Sequence, residues 1–423
     1  MLMRTFIFLF TIWFSGSLLA QETLTLFECQ DMAREHAPRS SDRQIIQEMG
    51  ETRMEQAGTS WFPSLELNGK LSYQSDVVTI ALSDPTIPVE FPQVPHDQYG
   101  LNLDVSQNLF DGGISREMKR YEEAIMAADL QQVEVDLYRL KGQVNQLFFT
   151  VLLLQENRQN LELHLESLQA RHETAQAAVA QGALLENELH VIEVEMLKVK
   201  QSLVEVDSRR DASMAALGVL CGDGFNGDAL LEAPQFGTVE GGTVERPELL
   251  MFELKHQSME AGKELAGKKR MPVLYAFGQT GYGKPGYNML SGEWDFYYMV
   301  GAGLRWKIWD WNKTSREKQL ISYQQQMLQN QKASFDREIE SLLVQEEARM
   351  DQYQLTMALD ARVVDLQQKI SGQAAVNLDN GTITATDYVT ELNKESMARI
   401  TLATHRVMLM QSMANYLTIQ GNL

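Results

Sequence analysis

The stretch Asn108-Leu109-Phe110-Asp111-Gly112-Gly113 lies where the sequence pattern of the chain changes. Before it, from position 99, apolar residues alternate with polar ones, which is the two-residue period of a strand with one apolar face. After it, residues 113–221 contain no proline and show helical spacing. Asp111 can accept backbone hydrogen bonds at a helix start, and Gly112 and Gly113 permit a backbone turn. The stretch therefore predicts a junction between a strand and a long helix.

The proline-free segment after this junction predicts two long helices. Apolar residues spaced alternately by four and three form one heptad stripe from Val133 to Val179 and a second from Leu185 to Leu220. Gly182 separates the two stripes. We therefore expect the chain to reverse near Gly182 and to form an antiparallel hairpin of coiled helices.

The second half of the chain repeats the landmarks of the first. Trp309-Asp310 lies 199 positions after Phe110-Asp111, and Gly381 lies 199 positions after Gly182. This order and spacing, at low residue identity, is typical of an internal repeat. The second copy replaces the glycine pair with Trp311-Asn312, so only the aspartate cap is expected to be common to both junctions.

These patterns divide the chain into four segments. Residues 1–20 are predicted to be a secretory signal peptide, because Arg4 precedes an apolar core and small residues follow it. The first repeat, 21–222, is predicted to contain helices over 23–60, strands over 64–75 and 99–110, and a helical hairpin over 113–221. After a linker over 223–246, the second repeat, 247–423, is predicted to contain a helix over 247–270, strands over 273–283 and 296–309, and a hairpin over 313–421.

Composition excludes several functional classes. The net charge of −20 disfavours nucleic acid as a partner. Two cysteines are too few for a disulfide scaffold; Cys29 and Cys221 could pair in an oxidising compartment or remain two independent buried thiols. The seven histidines include no pair at the four-residue spacing of a helical metal site, and no phosphate-binding glycine loop follows a buried strand. We therefore expect no enzyme activity, no cofactor and no metal site.

The predicted strands limit the possible architectures. Each chain offers four strands of roughly the length that spans a membrane, about 9 to 11 residues. Open sheet edges cannot lie in lipid, and membrane barrels need at least about 8 strands. The strands must therefore remain in water or join strands of other copies. Three copies would supply twelve strands.

Several motifs resemble those of the TolC family of outer-membrane efflux proteins. They are Leu24-Thr25-Leu26 leading to Pro38, Trp61-Phe62-Pro63-Ser64-Leu65, the junction stretch Asn108 to Gly113, and the glycines at both helix reversals. The resemblance covers essentially the whole mature chain. It implies a homotrimer in outer-membrane lipid, whose twelve-stranded β-barrel is continued by a periplasmic α-helical barrel. It also implies two partners, a periplasmic adaptor (membrane fusion) protein and an inner-membrane transporter.

The resemblance also suggests where function resides. Glu188 and Asp387 each follow a reversal glycine by six residues, and an aspartate at the position of Asp387 constricts the closed periplasmic entrance in the family. The alternative interpretation of both acids is an ordinary solvated helix face. Gly182 and Gly381 mark the tips where an adaptor would dock. The remaining candidate residues form the two strand-to-helix junctions: Phe110, Asp111, Gly112, Gly113, Trp309 and Asp310.

The sequence thus predicts a passive channel of a tripartite efflux or type I secretion system. It does not distinguish a drug, a metal or a polypeptide as the substrate. The alternative hypothesis is a structural periplasmic coiled-coil or adaptor protein without a channel, in which the strands belong to soluble domains.

Overall fold

A computed structural model describes residues 23–78, 94–222, 229–237, 242–289 and 292–423. The predicted signal peptide, 1–20, lies outside these residues, as do parts of the predicted linker over 223–246. The chain forms two compact units. One comprises Met1–Ala37, Arg139–Gly242 and Leu343–Leu423, and the other comprises Pro38–Tyr138 and Thr243–Leu342. We call them the helical unit and the sheet unit.

The elements follow the predicted order along the chain. They are β1 (Thr23–Leu24), α1 (Leu26–His36), a 3-10 turn (Pro38–Ser41), α2 (Asp42–Gly58), a second 3-10 turn (Thr59–Trp61), β2 (Ser64–Tyr73), β3 (Asp97–Phe110), α3 (Ile114–Ala180), α4 (Glu186–Cys221), β4 (Leu230–Leu231), α5 (Pro247–Lys268), β5 (Val273–Lys284), β6 (Asp295–Arg305), α6 (Lys313–Asp379) and α7 (Ala385–Gln420).

The two halves have matching helices. Helices α3 and α6 each contain 67 residues, and α4 and α7 each contain 36. The first residues of α3 and α6, Ile114 and Lys313, are 199 positions apart. The predicted fold, two repeats that each contain a long helical hairpin and two strands, is confirmed.

Strand β6 ends four residues before the predicted bound at 309. Its last residue, Arg305, pairs with Val273, the first residue of β5. Pro272 precedes Val273 and has no N–H to donate, which disfavours extension of the ladder past this pair. Residues 306–309 therefore continue the chain without a partner on β5. The alternating pattern that predicted the strand does not show where its pairing with β5 ends.

The sheet unit contains one antiparallel sheet with the strand order β2-β3-β5-β6. The register places Leu67 opposite Leu103, Leu103 opposite Thr280, and Thr280 opposite Tyr298, so these residues share one face. That face carries most of the sheet's apolar side chains. The large ones that are exposed are Leu65, Leu67, Leu71, Tyr73, Tyr99, Leu101, Leu274, Tyr282, Phe296, Tyr298, Val300 and Leu304.

The opposite face of the sheet is polar around Asp104. Its carboxylate accepts a hydrogen bond from the Asn68 amide on β2 at 2.7 Å and another from the Gln279 amide on β5. Tyr287 in turn donates to Gln279 at 2.6 Å. The sheet is therefore two-faced, with a hydrogen-bonded polar network on one side and exposed apolar side chains on the other.

Two hydrophobic clusters lie in the helical unit. One joins α1 and the ends of α4 and α7 to the middle of α3, around the fully buried Leu26, Phe148 and Leu217. The other lies nearer the helix reversals, around Leu168 and Ile192. Both contain residues of the predicted heptad stripes. Among the described helices, none has an 18-residue stretch apolar enough to cross a membrane.

A polar layer interrupts the second cluster at His164. This side chain is only 6% exposed, and its Nδ1 has no hydrogen-bond partner among the described residues. Burial lowers the pKa of His164 and outweighs the hydrogen bond that its ring donates to Asn393 and the nearby carboxylates of Glu195 and Glu395, which favour the charged form. His164 is therefore preferentially neutral in the folded helical unit.

This lowered pKa predicts a pH-dependent stability. The unfolded chain binds a proton at His164 more readily than the folded chain. The contribution of neutral His164 to the free energy of unfolding is therefore complete above the ordinary pKa of about 6.5 and decreases as the pH falls through that value. We expect the thermal midpoint to fall less between pH 7 and pH 5 in His164→Gln than in the wild type. His190→Gln, at an exposed position on α4, is the matched control. Identical pH profiles for the wild type and His164→Gln would contradict this assignment.

Candidate functional site

The two helix reversals have the same backbone structure. Gly182 and Gly381 adopt left-handed φ values of 73° and 67°. A Cβ at either glycine would meet no atom within 4 Å, so the conformation alone favours glycine there. Two 2.9 Å hydrogen bonds close each tip: Gly182 N–H to Val179 O and Ala183 N–H to Ala178 O in the first, and Gly381 N–H to Leu378 O and Thr382 N–H to Asn377 O in the second. This is the Schellman arrangement of a helix end.

Asp387, the first predicted gate acid, caps its own helix. It is the third residue of α7, and its carboxylate accepts hydrogen bonds from the Thr384 hydroxyl at 2.8 Å and the Thr384 backbone N–H at 3.1 Å. Thr384 Oγ1 accepts from Asp387 N–H in return, at 3.2 Å, which completes a capping box. The Thr384 hydroxyl and backbone bonds lower the pKa of Asp387. The carboxylate is therefore charged at neutral pH and is already engaged with the start of α7.

Glu188, the second predicted acid, reaches across to the other hairpin. It is the third residue of α4, yet its carboxylate accepts a hydrogen bond from the backbone N–H of Ala385, the first residue of α7. At the start of α4 itself, Leu185 supplies no side-chain cap. The structure thus brings both predicted acids to one helix N-terminus, where negative charge is favoured by the helix dipole.

Arg171 is a residue of this region that the sequence did not single out. Its side chain is 11% exposed and forms an ion pair with Asp379 at the end of α6. It also donates to the Ala375 carbonyl at 3.1 Å, and its guanidinium lies 4.9 Å from the ring centre of Tyr388 on α7. Arg171 therefore joins the first hairpin to both helices of the second. Arg171 lies three residues after Leu168 and four before Ala175, so it places a charge beside the heptad stripe. This charge next to an apolar stripe is the signal by which the sequence could have indicated Arg171.

The first junction has the predicted aspartate cap. Asp111 is 6% exposed, and its carboxylate accepts hydrogen bonds from Gly113 N–H and Ser115 N–H, both at 2.8 Å, and from the Ser115 hydroxyl. Gly112 and Gly113 have left-handed φ values of 68° and 85°. A Cβ on Gly112 would lie 2.3 Å from the Met271 Cβ, so glycine is also required there for space. Phe110, just before the cap, is 49% exposed.

The second junction keeps more of the first than the sequence suggested. Asp310 accepts hydrogen bonds from Thr314 N–H at 3.0 Å and from the Thr314 hydroxyl at 2.6 Å. Trp311 and Asn312 adopt φ values of 52° and 60°, so they have the left-handed backbone of the glycine pair without its freedom. The expectation that only the aspartate is shared was wrong, because Trp311 and Asn312 keep the left-handed turn geometry without glycine. Trp309, at the place of Phe110, is 68% exposed.

Comparison with known proteins identifies relatives of this architecture. Residues 34–223 match the sequence model of the family described as outer membrane efflux protein. Among solved structures, VceC of Vibrio cholerae has a TM-score of 0.67 at 14% identity, with 94% of this chain and 96% of that chain covered. The CmeC outer membrane channel of Campylobacter jejuni has a TM-score of 0.64 at 16% identity, with coverages of 94% and 85%. A comparison with curated protein sequences found no match.

A third solved structure is a channel described as open. The Neisseria gonorrhoeae MtrE outer membrane channel in its open state has a TM-score of 0.67 at 15% identity, with coverages of 94% and 88%. At such identities these likenesses establish the fold. Together with the family match, they confirm the resemblance to outer-membrane efflux proteins.

The junction geometry predicts opposite effects for two glycine substitutions. Gly113→Ala should lower the free energy of unfolding by about 1 kcal/mol, because alanine is strained at this left-handed φ although no atom lies within 4 Å of its Cβ. Gly142→Ala, equally open but in the middle of α3, should raise stability by up to about 1 kcal/mol. Thermal unfolding in detergent measures both. Stabilisation by both substitutions would contradict the strain at Gly113.

Proposed function

We propose that the chain is one subunit of a homotrimeric outer-membrane channel, in which three four-stranded sheets join edge to edge into a twelve-stranded barrel. Within the described sheet, β2 and β6 each pair with a strand on one side only. Their outer N–H and C=O groups need partners if the sheet lies in lipid, because no water can satisfy them there. Closure with neighbouring subunits would supply those partners.

The observation that carries this proposal is the two-faced sheet. Exposed apolar residues such as Leu67 and Val300 lie on one face, and the hydrogen-bonded network of Asp104 lies on the other. Barrels of the outer membrane alternate in this way, with apolar side chains toward lipid and polar ones toward a water-filled interior. A soluble domain would have to cover the apolar face instead.

In this proposal the helices continue the duct into the periplasm. Substrates would be delivered by an inner-membrane transporter through a periplasmic adaptor protein, in a tripartite efflux or type I secretion system. The adaptor would dock at the tips around Gly182 and Gly381. The duct requires only polar walls and a gate, so its proposed function is passive and involves no catalysis and no cofactor.

The gate is proposed to be the set of bonds that join the two hairpins near their tips. Arg171 ties α3 to Asp379 and Tyr388, and Glu188 ties α4 to the first residue of α7. Opening that separates the hairpins would break both ties. Asp387 contributes by capping α7, which keeps the Ala385 N–H in place for Glu188. The proposed gate residues are therefore Arg171, Glu188 and Asp387.

The channel and its rival predict different assemblies. We expect the protein to fractionate with the outer membrane as a trimer that dissociates only on heating in SDS, and to conduct ions in planar bilayers. A structural periplasmic coiled-coil or adaptor protein would be recovered in the periplasmic fraction and would not conduct. Recovery as a soluble monomer would contradict the proposal at its first step, before any gate residue is considered.

The gate proposal predicts that Arg171→Ala opens the isolated channel. Loss of a charge-assisted bond of about 1.5 kcal/mol would shift a closed-to-open equilibrium roughly tenfold. Glu188→Ala should act in the same direction because it removes the second tie. Single-channel recordings in planar bilayers would measure the open fraction of each variant.

A control variant separates the gate from general loss of stability. Arg158→Ala breaks a pair with Asp207, which joins α3 to α4 inside one hairpin and should leave the open fraction unchanged. If Arg158→Ala opens the channel as much as Arg171→Ala does, the ties between the hairpins are not the gate.

A further inference from the structure

Two thiols meet in the core of the helical unit. Cys29 lies on α1 and Cys221 is the last residue of α4, and both are fully buried. The Cys221 thiol lies 3.4 Å from the carbonyl oxygen of Cys29, to which it donates a hydrogen bond, and the two side chains are also hydrogen-bonded to each other. The sequence left open whether they pair or lie apart. The structure places them in contact although 192 positions separate them.

The elements that carry the two thiols are fixed at several points. Helix α1 begins with a capping box between Thr25 and Glu28. Strand β1, just before it, pairs in parallel with β4. At the end of α4, Gly222 packs so closely against His36 that a Cβ would lie 2.4 Å from its ring. The two thiols therefore meet because α1 and the end of α4 are held together on both sides of them.

The compartment favours oxidation of such a pair. The inference rests on the proposed function, in which the helical unit lies in the periplasm, where disulfides form and persist. The hydrogen bond between the thiols, together with burial, raises the pKa of Cys29, so in the folded unit the thiol is protonated and enclosed. An oxidant would therefore act on the exported chain before this core closes.

We propose that Cys29 and Cys221 are joined by a disulfide in the exported protein. A disulfide-bearing oxidant supplies the chemistry: one cysteine thiolate attacks it to form a mixed disulfide, and the second thiolate displaces the reduced oxidant. The two cysteines lose two electrons and two protons, and the oxidant becomes a dithiol. The new bond ties α1 to the end of the first hairpin.

The disulfide would be present in the first repeat only. The residue 199 positions after Cys221 is Gln420, which is also buried but has no thiol. The chain between the two cysteines includes β2, β3 and the whole first hairpin. Closing so long a loop restricts the unfolded chain strongly, so the bond should stabilise the folded unit. It would also hold the N-terminal segment in place during movements of the hairpins.

Thiol counting tests the proposal on the full-length protein. Cells are quenched with acid, and the protein from the outer-membrane fraction is denatured with a maleimide-linked polyethylene glycol before or after reduction. We expect no label without reductant and two labels after reduction. Cys221→Ser should carry one label without reductant, because Cys29 has then lost its partner. Two labels on the unreduced wild-type chain would overturn the proposal.

A stability measurement separates the disulfide from a mere contact. Reductant should lower the heat resistance of the wild-type trimer, whereas the Cys29→Ser and Cys221→Ser double variant should not respond to it. An equal response of both proteins would count against the bond. The label count does not depend on ion conduction, so its failure would leave the proposed channel intact, and a non-conducting protein could still carry the disulfide.

Discussion

The architecture depends on one interaction, the capping of a helix by an aspartate at the point where a strand ends. Asp111 and Asp310 each accept hydrogen bonds from a backbone N–H and a hydroxyl four residues further along the chain. The cap satisfies donors that a helix start would otherwise leave open. It also fixes two residues with left-handed φ between the strand and the helix. In the second junction, Trp311 adopts that conformation at a cost of about 1 to 2 kcal/mol, whereas Asn312 is a residue type that visits it more readily. The glycine pair of the first junction does not have this strain.

The two hairpins repeat the similarity of the two junctions at their tips. Because α3 and α6 have the same length, two junctions of the same kind place two tips of the same kind at their far ends. Each tip needs a glycine at a positive φ and closes with the same two bonds. The repeat thus allows the two hairpins to meet at matching levels, where Arg171 and Glu188 can join one to the other.

Much of the fold could be predicted from the sequence. The features that could not be predicted depend on contacts between residues that lie far apart in the chain. Period and landmark spacing gave the strands, the hairpins and the reversals, because each depends on nearby residues. The end of β6 at Arg305 depends on Pro272 in the neighbouring strand, which no local pattern shows. The bond from Glu188 to Ala385 and the ties of Arg171 join residues about 200 positions apart, so they appear only when the hairpins are packed.

The packing also changes the expected repulsion between the acids of the proposed gate. Counted from the sequence, three subunits would bring six carboxylates to a narrow entrance, where mutual repulsion would favour opening. In the structure, Asp387 and Glu188 both bond to the N-terminal end of α7, which carries about half a positive charge. In the proposed gate, closed tips would therefore offset part of the repulsion inside each subunit. Separating the hairpins would break the hydrogen bond between the Glu188 carboxylate and the Ala385 N–H. The contact that offsets the repulsion between the acids in the closed state therefore also opposes opening.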